Sequence, residues 1–166
     1  MVTHVAGAFL FIGEEMNNET NLVKLDRIRR ELMLCKTIDD AKDIRDKAEA
    51  MRNYAKQRDY SLESQNHCAE IKLRAERKIG EFSKELPKAN PGVKPKTIKS
   101  QDVTQYKTEV LKEAGLNRMQ AHRFEAIAEL PEETFEKHIQ ETKDAKEELT
   151  TSSVLKVAKD IKNMPD

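Results

Sequence analysis

An all-α fold is predicted for this chain, and three observations carry the prediction. Charged residues make up 36% of the 166 residues while glycine occurs only five times, a balance that favours helix. Aromatic residues are 5%, with no tryptophan, so any core has to be built from Leu, Ile, Val, Met and Ala. Those residues recur three and four positions apart along most of the sequence, which is the period of one helix face. The predicted arrangement is an N-terminal module of long helices, packed as a coiled coil or antiparallel bundle. A C-terminal domain resembling a helix-turn-helix follows it.

Residues 1–20 read as a disordered leader. The apolar run from Val5 to Gly13 is too short to cross a membrane, which takes about 20 residues. No Lys or Arg precedes it and no small-residue cleavage pattern follows, so it does not read as a signal peptide. The stretch from Met16, MNNETNLVKLDRIRREL, has the look of a natural N-terminus. Residues 1–15 are therefore expected to be an upstream start or leader.

Residues 21–86 form the helical module. Its first helix, Asn21 to Cys35, places Leu25, Ile28, Leu32 and Cys35 on one face. The second starts after Thr37, a suitable N-cap, with Asp39 and Asp40 in the first turn. Its stripe is Ala41, Ile44, Ala48, Met51 and Ala55. The third starts after Ser61 and carries Cys68, Ile71, Ala75, Ile79, Phe82 and Leu86. The small residues Ala41, Ala48, Ala55 and Ala75 allow the second and third helices to approach closely. Gly80 costs this helix about 1 kcal/mol relative to alanine, and marks either a close crossing or a weak point. The charges beside the stripes (Arg45, Glu49 and Arg52; Arg74, Glu76, Arg77 and Lys78) are expected to form a solvated face.

Residues 87–106 are a basic, flexible linker. PKANPGVKPKTIKSQDVTQ contains three prolines, a glycine and four lysines, so it should be extended. Lys94, Lys96 and Lys99 make it either a basic arm along a DNA backbone or a plain interdomain tether.

Residues 107–166 carry the functional signal. KTEVLKEAGLNRMQAHRFEAIAEL, Lys107 to Leu130, reads as two short helices joined by a glycine turn. Val110, Leu111 and Ala114 face inward, Gly115 supplies the turn, Leu116 plugs the joint and Asn117 caps the second helix. Ala121, Phe124 and Ile127 then point to the core. This leaves Arg118, Gln120, His122 and Arg123 outward near the start of the second helix, where recognition helices carry their reading side chains. Arginine pairs with guanine, glutamine with adenine, and Asn117 can bind phosphate. Leu111 departs from the alanine usual at a tight crossing, and a helical hairpin with a glycine turn need not bind anything. Two further helices, one opened by Pro131 and one capped by Thr150 or Thr151, are expected to support the hairpin.

Net charge is zero but unevenly spread. Residues 87–123 hold eight Lys and Arg against three acids, a net of +5, whereas residues 124–166 hold six against eleven, a net of −5. Local positive potential attracts phosphate whatever the total charge, and the acidic tail would face away from DNA. Catalytic chemistry has no foothold: the four histidines lack metal-ligand spacing, and no phosphate-binding glycine loop or nucleophile elbow occurs. No enzyme activity, metal or cofactor is expected. Cys35 and Cys68, far apart and outside any CxxC, read as buried reduced thiols of a cytoplasmic protein.

Four blocks, TIDDAKDIRDKAEAMRNYAKQ, AEIKLRAERKIGEF, GLNRMQAHRF through IAELPEETFE, and LTTSSVLKVAK, resemble a family of small helical proteins encoded by bacterial prophages and integrative elements. The resemblance covers about residues 22–160. It implies a mobile-element setting, and some members are similar to the DNA-binding part of partition-type proteins. Where that family usually opens the second hairpin helix with Ser or Thr and places Trp after its Arg, this chain has Asn117 and Phe124. The function expected is a phage-type, double-stranded-DNA-binding protein, regulatory or partition-like, dimerising through its N-terminal helices. The alternative is a protein–protein adaptor that binds a host protein.

Overall fold

Seven helices and no strand make up the described residues, 23–87 and 107–164, of a computed structural model of the chain. Helix α1 spans residues 23–34, α2 Ile38–Gln57 and α3 Leu62–Glu85. After segment 88–106 come α4 (Lys107–Glu113), α5 (Arg118–Ala128), α6 (Glu132–Asp144) and α7 (Thr151–Lys162). The leader expected at residues 1–20, and Lys94, Lys96 and Lys99, lie outside the described residues.

At several helix starts a side chain takes up an amide group left free by the first turn, although α6 starts after Pro131 with no side-chain cap. Thr37 accepts from the Asp40 amide, and Asp40 accepts in return from the Thr37 amide. Ser61 caps α3 through the Ser64 amide and Thr150 caps α7 through the Ser153 amide. Three helices end in a Schellman turn, in which one left-handed residue closes two backbone hydrogen bonds. That residue is Asp59 after α2 (φ 53°), Gly115 after α4 (φ 68°) and Lys146 after α6 (φ 53°).

Helix α3 is the spine, and its residues enter all three parts of the core. Cys68, Ile71 and Ala75 pack with Leu25, Ile28 and Leu32 of α1 and with Ile44 and Ala48 of α2. Ile79 joins Ile38 and Ala41 of α2 to Leu111, Ala114, Leu116, Ala121 and Phe124. On another face, Ala69 and Leu73 meet Ile127, Leu130, Phe135, Ile139, Leu149 and Val154. Each large aliphatic or aromatic side chain buried this way contributes about 1.5–3 kcal/mol. Most residues of the predicted stripes are buried, but Cys35, Met51, Phe82 and Leu86 are only half-buried at the edges of the core, so Cys35 is not the buried thiol expected. The spacing missed α3's second face.

That second face changes the reading of the charges on α2 and α3. Expected to be solvated, many of them instead tie one helix layer to the next. Arg52, 8% exposed, donates to the Leu149 carbonyl at 2.9 Å and to Glu148 at 2.7 Å. Glu76, 2% exposed, accepts from Thr151 Oγ1 at 2.9 Å and from Arg45 at 3.4 Å. Arg74 bridges Glu70 and Glu136, and Arg77 pairs with Glu132 at 2.9 Å while stacking over Phe135. Buried Asn66 acts as a clamp, donating to the Glu147 carbonyl at 2.8 Å and accepting from the Leu149 amide at 2.9 Å. Helical spacing cannot separate a face turned to water from one covered by a second layer.

The buried carboxylates respond in opposite directions. Burial opposes ionisation at Glu70, but hydrogen bonds and charge from Lys143 and Arg74 outweigh it and hold the carboxyl below its ordinary range. Burial prevails at Glu76 over Lys72, Thr151 and Arg45, so its carboxyl titrates above that range.

The two described stretches meet where the Pro87 carbonyl accepts from the Lys107 amide at 3.0 Å.

Candidate nucleic-acid interface

The hairpin of α4 and α5 is built locally as its sequence suggests. Leu111 and Ala114 are buried, and Gly115 takes the left-handed conformation that closes α4. The Leu116 amide reaches the Leu111 carbonyl at 2.8 Å and the Leu116 side chain is buried in the joint. Asn117 then caps α5, accepting from the Gln120 amide at 2.8 Å. Gln120 Oε1 accepts in turn from the Asn117 amide at 3.0 Å, completing a capping box.

The inner face of α5 is fixed to α3. Ala121, Phe124 and Ile127 are all buried, and Arg45 stacks over the Phe124 ring. Gly80 of α3 lies directly against the backbone at Phe124 and Glu125. The alternatives open for this glycine resolve to a close crossing. Glu125 accepts from Ser83 at 2.5 Å and pairs with Lys107. Burial opposes its ionisation, yet Lys107, Ser83 and the charge of His122 hold its carboxyl below the ordinary range.

The outer face is open. Arg118, His122 and Arg123 are exposed, as is Asn117, while Gln120 is half-buried. None of Arg118, Arg123 or the exposed Lys112 at the end of α4 has a carboxylate partner among the described residues, whereas the charge of His122 acts on Glu125. The contrast with Arg45, Arg52, Arg74 and Arg77, all paired to acids, is direct. Exposed acids are present nearby as Glu109 and Glu113 on α4.

The capping box limits what two of the five hairpin residues can read. Bidentate recognition of adenine uses both the oxygen and the amide nitrogen of glutamine. Gln120 Oε1 already serves the Asn117 amide, so this geometry leaves only its nitrogen to donate. Asn117 Oδ1 is similarly engaged, leaving its own amide nitrogen for phosphate. Met119, 65% exposed in the first turn between Arg118 and Gln120, is a neighbour that sequence reasoning misses. Its only signal there is an apolar residue outside the 121, 124 and 127 stripe.

Helix α7 lies alongside α5, and a groove of about 410 Å³ runs between them. Ala126, Leu130, Leu155, Ala158 and Ile161 supply its apolar lining; His122, Lys159 and Lys162, and the acids Glu125 and Glu129, also line it. Among the described residues no group of His, Cys, Asp and Glu side chains could hold a metal ion, and no helix is long and apolar enough to cross a membrane. Cys35 and Cys68 are both free thiols. No protein-family model, curated protein or solved structure matches the chain.

Proposed function

We propose that this chain is a DNA-binding protein of the mobile-element type, contacting duplex DNA with the first two turns of α5. The observation that carries this reading is the set of unpaired, exposed cations at the end of α4 and the front of α5. Arg118, Arg123 and Lys112 keep their charge free in a chain whose other arginines are largely neutralised by acids. A cation tied to a carboxylate gains little from phosphate, whereas an unpaired one releases counterions when it binds.

The rigid setting adds to this. With α5 held by Phe124, Ile127 and the Gly80 contact, its outer side chains are presented from a fixed helix. Arg118 and Arg123 are assigned to phosphates or guanine edges, His122 to an adjoining contact, and Asn117 and Gln120 to amide donation beside their capping role. Lys94, Lys96 and Lys99 are assigned to the DNA backbone as a basic arm. Dimerisation over two half-sites completes the proposal. The stripes of α1, α2 and α3 are spent inside the chain, so a dimer contact on these helices would draw on exposed Val23, Met33 and Leu34 of α1.

Salt-dependent binding to duplex DNA tests the reading. Wild-type affinity should fall steeply between about 50 and 200 mM salt. Arg118→Ala combined with Arg123→Ala should weaken binding and reduce the salt slope by about one for each phosphate no longer neutralised. No binding to duplex DNA at low salt would end the proposal. Recovery of one stoichiometric host protein, insensitive to nuclease, would favour the adaptor instead.

A further inference from the structure

Helix α7 does not follow the acidic character of the segment that contains it. The acids of residues 124–166 sit mainly on α6 and on the connector before α7, as Glu132, Glu133, Glu136, Glu141, Glu147 and Glu148. Within α7 itself Asp160 is the single acid, against Lys156, Lys159 and Lys162. The three lysines are spaced by three, so they follow one side of the helix. All are exposed, and none has a carboxylate partner among the described residues.

The packing sets where those charges point. Thr151 is bonded to Glu76 and Val154 is fully buried, so the first turn of α7 is anchored. The far end is open, with Ile161 38% exposed. Lys159 and Lys162 line the groove that His122 of α5 also lines. The acids on the α5 wall already have cationic neighbours: Glu125 pairs with Lys107, and Glu129 lies 4.0 Å from Lys84.

We infer that Lys159 and Lys162 contact the phosphate backbone of the duplex that α5 reads, making the end of α7 a second wall of the interface. The inference rests on the DNA-binding reading of α5. The expectation that the tail faces away from DNA then holds for α6 and not for α7. The segment total of −5 conceals this, because it adds the acids of one helix to the bases of another.

The test uses the full chain and a fluorescein-labelled, mixed-sequence duplex, titrated over a range of salt. Lys159→Gln with Lys162→Gln should reduce the slope of log affinity against log salt by about 0.9 for each phosphate released from its lysine. Affinity should drop about tenfold near physiological salt, equally for different duplex sequences. Both lysines are exposed, so the thermal midpoint should stay at the wild-type value, and Lys162→Glu should weaken binding further. If the wild type and the Arg118→Ala, Arg123→Ala variant behave as proposed but the lysine variants match wild type in affinity and slope, the second wall is wrong. If the wild type fails to bind, the reading of α5 falls and this inference falls with it.

Discussion

Gly80 and Phe124 meet backbone to backbone: a methyl group on Gly80 would overlap the Phe124 carbonyl and stand 2.9 Å from the Glu125 amide nitrogen. Glycine inside a helix is ordinarily replaced by alanine with a gain of about 1 kcal/mol. Here the obstacle is main chain, which cannot rotate aside. Gly80→Ala should therefore destabilise the protein by about 1–3 kcal/mol, the scale of overpacking. Urea denaturation decides it, and a midpoint at or above wild type would show that α5 does not cross α3 so closely.

Three Schellman turns give a second pair of expectations with opposite signs. Gly115 occupies its left-handed position without steric cost, so Gly115→Ala should cost about 1–2 kcal/mol. Lys146 sits in the same conformation with a side chain, at φ 53°. Lys146→Gly should consequently stabilise the fold by about 0.5–1 kcal/mol. Thermal melts of the two variants should shift in opposite directions, and a shared direction would contradict the assignment.

The two buried carboxylates on α3 should separate in acid. The Glu70 carboxyl titrates below its ordinary value of 4.5 in the folded chain, so the unfolded chain binds more protons between the two values. Its contribution is complete above the unfolded pKa and fades as pH falls through the folded one. Glu70→Gln should cost about 1–3 kcal/mol at about pH 7 and progressively less towards about pH 3. Glu76 titrates above 4.5, so its ionisation removes stability as pH rises through the window between the unfolded and folded values. Relative to wild type, Glu76→Gln should look better as pH climbs through that window. Urea midpoints across pH give both trends, and parallel curves for the two variants would refute the contrast.

Gln120 has two separable roles. Glutamate at this position preserves a capping box and suits the positive end of a helix. Gln120→Glu should keep the melting temperature of wild type, whereas Gln120→Ala should lose about 0.5–1 kcal/mol. On duplex DNA the glutamate variant should bind more weakly despite its intact fold, since it adds negative charge to the proposed interface. A glutamate variant that binds as well as wild type would remove Gln120 from that interface.

Much of the local structure is readable because it depends on neighbours in sequence. Thr37 and Asn117 cap the helices they are expected to cap, Ser61 precedes and caps α3, Thr150 is the one of the two candidate threonines that caps α7, and Gly115 turns where expected. Ala121, Phe124 and Ile127 are buried, with Arg118, His122 and Arg123 outside. What stays hidden depends on residues distant along the chain. The Asn66 clamp joins positions 81 and 83 residues apart, and the Arg52 bonds to Glu148 and Leu149 span 96 and 97. No local pattern distinguishes such a residue from a solvated one. Lys159 is hidden for a related reason: only the lie of α7 along α5 brings it beside His122.

The hydrogen bond between Pro87 and Lys107 bears on what becomes of the chain once it is cut. Cleavage anywhere between them leaves α3 on one fragment and α5 on the other, with Ile79 still packed with Phe124 and Leu73 with Ile127. A nick in segment 88–106 should yield two pieces that co-elute as one complementing pair and separate only in denaturant. Fragments that part under native conditions would mean that covalent continuity, rather than the α3 surface, keeps the two halves together.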